Sequence, residues 1–319
     1  MNTGLDAYLV ALRAEGSNLP FFCVTGAGDV AGSYESLASR LDAEQPFFGL
    51  QEPLVEAEDA PVLSVEDLAT RDVEVLRTVQ PQGPYCLGGW SFGGAVAYEM
   101  AQQIHAQGHE VALLVLIDTG PTCLPRSALG KAYERVRGIA IKIRVRLWMG
   151  ASFLPALPSV VRDSCILAFP SLASGEETLE SPPSLKEYLR WVWHDMARQF
   201  FLKQAGLSES GDSRSRLSLI RHPFVRKISA TLSANKEAMY AYVTKPYPGR
   251  VTLFRASFDP WGQARRDTTL GWKHLAGGGV DVHVIPGNHL VIMRKPFVDD
   301  LARQLQRCLN AVQRKHAAR

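Results

Sequence analysis

The stretch "GGWSFGGAVAYEMA", residues 88–101, places a single serine, Ser91, between two glycine pairs, Gly88-Gly89 and Gly93-Gly94. The apolar run "PYCLGGW" (84–90) precedes it, and residues in helical spacing follow at once, from about Phe92 to Gln107. Glycine weakens both strands and helices, so four of them at a strand–helix junction point to a backbone requirement. Gly89-Trp90-Ser91-Phe92-Gly93 fits the G-x-S-x-G nucleophile elbow, in which a sharp turn raises the serine Oγ above a sheet. The pattern is weak as a string of letters. The apolar strand before it and the helix after it are the context that gives it meaning.

A serine needs a base and an orienting acid to act as a nucleophile at neutral pH. In the elbow fold these come in the chain order serine, acid, histidine, from turns after later strands. Asp118 closes "EVALLVLID" (110–118), the most apolar run of the chain, and Thr119-Gly120-Pro121 follow it. Of eight histidines, His105 and His109 lie on or just after the elbow helix, and His316 is in the charged tail. His194, His222 and His274 fall in connecting segments, and His283 is inside a strand pattern. His289, in "VIPGNHLVI", sits in a loop after a late strand and before a terminal helix. The expected catalytic set is Ser91, Asp118 and His289. Asp259, in "ASFDPW" after "GRVTLFRAS" (249–257), is the alternative acid.

Outward from the elbow, apolar runs alternate with helical patterns. "PFFCV" (20–24) and "PFFGLQ" (46–51) read as strands, as do "GRVTLFRAS" and "VDVHVIPG" (280–287). Helices are expected over 33–41, over 64–80 behind a Ser-x-x-Asp cap, from 92 to a Gly108 C-cap, and over 296–313. Near-continuous apolar strands alternating with helices predict a mostly parallel sheet covered on both faces. Residues 121–235 break the rhythm and are too long for a plain loop, so a large, mostly helical lid inserted into a single α/β domain spanning 1–319 is expected.

The 319 residues carry a net charge of +3, with 46% hydrophobic and 21% charged residues. That composition suits a globular chain and gives no nucleic-acid signature. Five cysteines form no CxxC pair, which fits a reducing, cytoplasmic setting. The N-terminus has no basic region typical of a signal peptide, and no apolar run reaches the roughly 18 residues of a membrane span.

At these residues the chain resembles the thioesterase domains that end polyketide and nonribosomal peptide assembly lines, members of the α/β-hydrolase superfamily. "LPFFCVTGAGDVAGSYESLASRL" is similar to the family's opening strand and oxyanion loop. "GPYCLGGWSFGGAVAYEMAQQIHAQGHEVALLVLIDTGP" resembles its elbow and acid strand, and "VDVHVIPGNHLVIMRKPFVDDLARQL" its histidine loop. The resemblance implies Ser91, Asp118 and His289 as the triad and the backbone N–H groups of Ala27 and Phe92 as the oxyanion hole. It implies a serine thioesterase releasing an acyl, polyketide or peptide chain from a carrier protein, by hydrolysis or cyclisation through an acyl-Ser91 intermediate. No cofactor of its own is implied: the phosphopantetheine arm belongs to the acyl or peptidyl carrier protein, the expected partner. The rival readings are an acyltransferase or esterase of the same fold and a catalytically silent carrier-binding module. In one departure, the family's His-Pro-Ala-Gly-Gly loop is here Thr25-Gly26-Ala27-Gly28-Asp29. Losing the proline loosens that loop, and Asp29 brings a negative charge to a site that must stabilise another.

In the expected lid, Lys131, Arg135, Lys142 and Arg146 share one helical face. They form a solvated face or a dock for an acidic carrier protein or a membrane surface, and the alternation of "IKIRVRLW" also admits a strand. Trp191 and Trp193, in "WVWHDMARQFF" (191–201), are candidate walls for a hydrophobic acyl chain.

Overall fold

The structure is a computed structural model, and it describes residues 8–51, 63–122, 223–257, 267–289 and 291–318. The chain divides into one unit of Met1–Leu124 with Pro223–Arg319 and another of Pro125–His222, and the described residues all lie in the first. Seven strands form one sheet: β1 (Leu9–Arg13), β2 (Phe21–Val24), β3 (Phe47–Leu50), β4 (Tyr85–Trp90), β5 (Val111–Ile117), β6 (Val251–Ala256) and β7 (Val280–Ile285). Their spatial order is β1-β3-β2-β4-β5-β6-β7. β1 pairs antiparallel with β3, and every other pairing is parallel.

The helices are α1 (Glu35–Ala38), α2 (Val65–Arg77), α3 (Phe92–Ala106), α4 (Pro223–Ala241) and α5 (Phe297–Ala317). α2 packs on α3 and α3 on α4, while α1 packs on α5. Successive strand side chains point to opposite faces of a sheet. Phe22, Val24, Leu87, Leu114, Leu116 and Leu253 accordingly join one core with α2 and α3. Phe21, Cys23, Cys86, Val115 and Phe254, also buried, turn the other way. In α5 the positions 297, 301, 305 and 309 recur every four residues and are all buried, as the apolar stripe of a covering helix should be.

The expected capping box at the start of α2 is present: the Asp67 N–H donates to Ser64 Oγ at 3.1 Å and the Ser64 N–H to Asp67 Oδ2 at 3.3 Å. Gly108 closes α3 at φ +79°, its N–H donating to the His105 carbonyl at 2.9 Å. Two differences from the sequence reading stand out. β1 has no strand signature in the sequence, because its half-buried edge run LVALR shows no alternation. The helix expected over 33–41 is a 3-10 turn, Ala31–Tyr34, followed by the single turn of α1. Residues 123–222, most of the expected lid, lie outside the described residues. The expected boundary at 235 falls inside α4, which packs against the elbow helix.

This winding creates a crevice. From β2 the chain moves to β3 on one side, whereas β4 leads to β5 on the other. β2 and β4 are neighbours in register, Val24 beside Gly89, and the helices that follow them, α1 and α3, belong to opposite layers. Loops that diverge beyond the carboxyl ends of adjacent parallel strands leave a cleft, the usual place for a ligand in open α/β sheets.

Candidate active site

Ser91 stands at that point, one residue beyond β4, with φ 56° and ψ −120°. A non-glycine residue in such a conformation carries roughly 1–3 kcal/mol of strain and needs surroundings that hold it there. The Ser91 N–H donates to the Ile117 carbonyl at 3.1 Å. The Ser91 carbonyl accepts from the Gly94 N–H at 3.1 Å and from Thr119 Oγ1 at 2.9 Å. The glycines answer to close approach. A Cβ on Gly89 would collide with the Gly93 carbonyl, and one on Gly93 with the Val24 and Thr25 carbonyls. The helix therefore starts directly against two strand ends, and the turn has no room to relax.

Asp118 follows β5 and takes φ 48°. Its N–H donates to the Phe254 carbonyl at 2.6 Å, and its Oδ1 accepts the Ala256 N–H at 2.8 Å. His289, four residues past β7, places Nδ1 2.8 Å from Asp118 Oδ2 and Nε2 3.0 Å from Ser91 Oγ. The three side chains expected from the sequence thus form one continuous hydrogen-bonded chain, supplied by the ends of β4, β5 and β7. The His289 side chain is 39% exposed and that of Asp118 15%, so the imidazole can meet a substrate while the carboxylate stays shielded. The alternative acid, Asp259, and the acyl-wall candidates Trp191 and Trp193 lie outside the described residues, as do Lys131, Arg135, Lys142 and Arg146.

Ala27 and Phe92 lie on the loops beyond the paired ends of β2 and β4. Among the described residues neither N–H donates within the protein. The loop of Ala27 is tied at several points despite lacking proline. The Asp29 N–H donates to the Gly26 carbonyl at 3.0 Å, and the Ala31 N–H to Gln51 Oε1 at 2.9 Å. Asp29 Oδ1 accepts the Val30 N–H at 2.8 Å, so this carboxyl is engaged within its own loop. Burial pushes the Asp29 carboxyl above its ordinary range. The hydrogen bonds from Val30 and Ser33 and the charge of Arg294 offset that in part.

Sequence reasoning missed two supports. Thr119 bonds the carbonyl of Ser91, and Tyr34 spans the strand ends, its hydroxyl donating to the Val24 carbonyl at 2.6 Å and accepting the Trp90 N–H at 3.3 Å. Burial first, then Cys23 and Asp29, pushes the Tyr34 phenol well above its ordinary range, with the Trp90 N–H partly opposing, so the phenol keeps its proton. Among the described residues no group of three His, Cys, Asp or Glu could hold a metal ion, and no helix is long and apolar enough to cross a membrane.

Residues 19–132 match the model of the thioesterase domain. Over that span the chain is similar to thioesterase domains. It is 40% identical over 113 residues to a dimodular nonribosomal peptide synthase of Bacillus subtilis (strain 168), covering 35% of this chain and 5% of that protein. It is 25% identical over 301 residues to the chondramide synthase cmdD of Chondromyces crocatus, covering 94% of this chain and 7% of that protein. The chain therefore spans only a small part of the curated relatives it matches. Among solved structures it resembles the NocB thioesterase domain in covalent complex with a fluorophosphonate nocardicin G analogue, with a TM-score of 0.59 and 24% identity. That match covers 95% of this chain and 99% of the other. The fold is accordingly that of an α/β-hydrolase, as the mostly parallel seven-stranded sheet already indicates.

Proposed function

We propose that this chain is a serine thioesterase that releases an acyl or peptidyl chain from the phosphopantetheine arm of a carrier protein. The observation that carries this reading is His289 standing within hydrogen-bond reach of both Ser91 Oγ, at 3.0 Å, and Asp118, at 2.8 Å. His289 Nε2 takes the Ser91 proton as Oγ attacks the thioester carbonyl, while Asp118 fixes the tautomer with the proton on Nδ1. The Ala27 and Phe92 N–H groups receive the oxyanion, where fixed donors outperform water because they need no reorganisation. Collapse breaks the C–S bond, and the imidazolium returns its proton to the departing thiol, leaving acyl-Ser91. Water, or a hydroxyl or amine of the acyl chain itself, then gives His289 a proton and attacks the ester. The product is a free acid or a ring, and Ser91 is regenerated.

The carrier partner is supported by the relatives, which are named as a dimodular nonribosomal peptide synthase and a chondramide synthase. The covalent fluorophosphonate complex of the NocB domain makes that reagent a suitable probe. The test is intact mass after incubation with a fluorophosphonate and with a panel of acyl-phosphopantetheine thioesters. One adduct per chain is expected, absent in Ser91→Ala, with turnover lowered at least about a thousandfold. Labelling that persists in Ser91→Ala, or unchanged turnover, would overturn the reading. A chain that is never labelled and turns over no thioester is a carrier-binding module instead.

A further inference from the structure

Trp90, directly before the nucleophile, has a role that none of the contacts described so far supplies. Its indole lies 5.4 Å from the His289 imidazole, centroid to centroid, with the ring planes 30° apart. The same indole borders the oxyanion loop: a Cβ on Gly26 would stand 3.0 Å from Trp90 Cε3 and 3.2 Å from Cζ3. One rigid ring therefore touches both the base and the loop of Ala27. Its backbone is fixed from below by the Tyr34 hydroxyl.

Packing alone does not explain the residue. Trp90 Nε1 is buried with no hydrogen-bond partner among the described residues. A buried donor left unpaired is destabilising, and an apolar ring at this position would avoid that cost. What the indole offers over a simpler ring is its face. An aromatic face attracts a cation within about 6 Å of its centroid, and tryptophan does so most strongly.

We propose that Trp90 is a positioning residue whose indole holds the His289 imidazole in the line between Ser91 and Asp118 and favours the imidazolium that forms during acyl transfer. The proposal rests on the triad reading above. The imidazole is neutral before Ser91 attacks and charged afterwards, so attraction to the ring grows along the reaction. An interaction stronger in the transition state than in the ground state raises the chemical rate, not the affinity. The other polar groups shown at His289 are the Asp118 carboxylate and the Ser91 hydroxyl. Arg294, five residues further on, interacts with Asp29.

The test compares wild type, Trp90→Phe, Trp90→Tyr and Trp90→Leu for fluorophosphonate inactivation, resolving the maximal rate from the half-saturating concentration, with thermal melting alongside. Trp90→Phe is expected to melt at or above the wild-type temperature and to inactivate a few-fold more slowly. Trp90→Leu should be about tenfold or more slower, and half-saturation should not move in either. Trp90→Tyr should fall with Trp90→Phe. The inference is overturned if Trp90→Leu inactivates at the wild-type rate, if half-saturation carries the effect, or if the rates follow the melting temperatures instead of the aromatic ring. Should Trp90→Leu fail to fold, the two aromatic variants decide, since equal rates in all three aromatic forms would also overturn it. Labelling that survives Ser91→Ala would instead reject the underlying triad.

Discussion

The Ala256 N–H donates to Asp118 Oδ1 at 2.8 Å, the carboxylate oxygen that His289 leaves unused. Both oxygens of Asp118 thus act as acceptors, one toward the imidazole and one toward the end of β6. Asparagine has a single side-chain acceptor, so Asp118→Asn must turn its NH₂ toward either the Ala256 N–H or the protonated Nδ1. Turnover should fall by about 10³- to 10⁴-fold with the melting temperature little changed. Steady-state kinetics beside Asp259→Asn checks this. A mild Asp118→Asn with a crippled Asp259→Asn would move the acid to the other position.

Gly94 faces Thr119, whose Oγ1 holds the Ser91 carbonyl, and a Cβ on Gly94 would run into that side chain. Gly94→Ala should destabilise the fold by about 1–3 kcal/mol through overpacking, against the usual helix preference for alanine. Thr119→Ala clears part of the space but loses the bond to Ser91. The double variant should therefore cost less than the sum of the two singles, a coupling of about 0.5 kcal/mol or more by denaturant titration. Strict additivity would show that the two side chains do not compete.

Glu99, buried in α3, accepts from Tyr242 Oη at 2.8 Å, Gln102 Nε2 at 2.9 Å and Gln103 Nε2 at 3.2 Å. Tyr242 lies just past α4, so this cluster ties α4 to the elbow helix. Burial, and then the neighbouring Glu99, pushes the Tyr242 phenol far above its ordinary range, and it keeps its proton. Tyr242→Phe removes one donor from a buried carboxylate and should cost about 1–3 kcal/mol in unfolding free energy. A change below 0.5 kcal/mol, about the scatter of neutral substitutions, would count against the cluster as an anchor.

Burial pushes the Cys86 thiol from 9.0 up to about 12, and the Cys23 thiol likewise, with a Tyr34 hydrogen bond slightly opposing in the latter. A raised folded-state value means that the folded chain holds its thiol protons more tightly than the unfolded one. That contribution is fully present below about pH 9 and is lost as pH rises toward 12. Unfolding free energy should fall across this window, and fall less steeply in Cys86→Ala, whatever its lower starting stability. Parallel curves for the two proteins would refute the assignment.

Much of this architecture can be read from the chain, and what cannot has identifiable causes. Strands β2 to β5 are uninterrupted apolar runs, and β6 is interrupted only by Thr252 and Arg255, because both faces of the sheet are covered; such runs are hard to miss. β1 lies at an edge, and its short run LVAL lacks the alternation of a half-buried strand, so it cannot be told from a helix segment. Ser91, Asp118 and His289 could be singled out because each stands in a turn or loop that follows a strand, a position that needs no knowledge of contacts. Tyr34, Trp90 and Thr119 meet partners far away in sequence, such as Tyr34 on Trp90 and Trp90 on His289, and nothing local to them reveals that pairing. The sequence shows the charge of Asp29 but not its partners. Its carboxyl is occupied by the neighbouring Val30 N–H, a detail of loop geometry that the letter D does not carry.

β5 and β6 are adjacent in the sheet, Val115 beside Thr252, although a long stretch of chain separates them. That stretch is closed near its ends by two threonines: the Thr122 N–H donates to Thr244 Oγ1 at 3.0 Å, and the Thr244 N–H to the Thr122 carbonyl at 3.1 Å. The chain between these two threonines thus has its ends held together in one clasp. The entropy of closing such a ring grows slowly, by about 0.6 kcal/mol for each doubling of its length. Material can thus be added or removed between the clasp and α4 at little thermodynamic cost to the sheet.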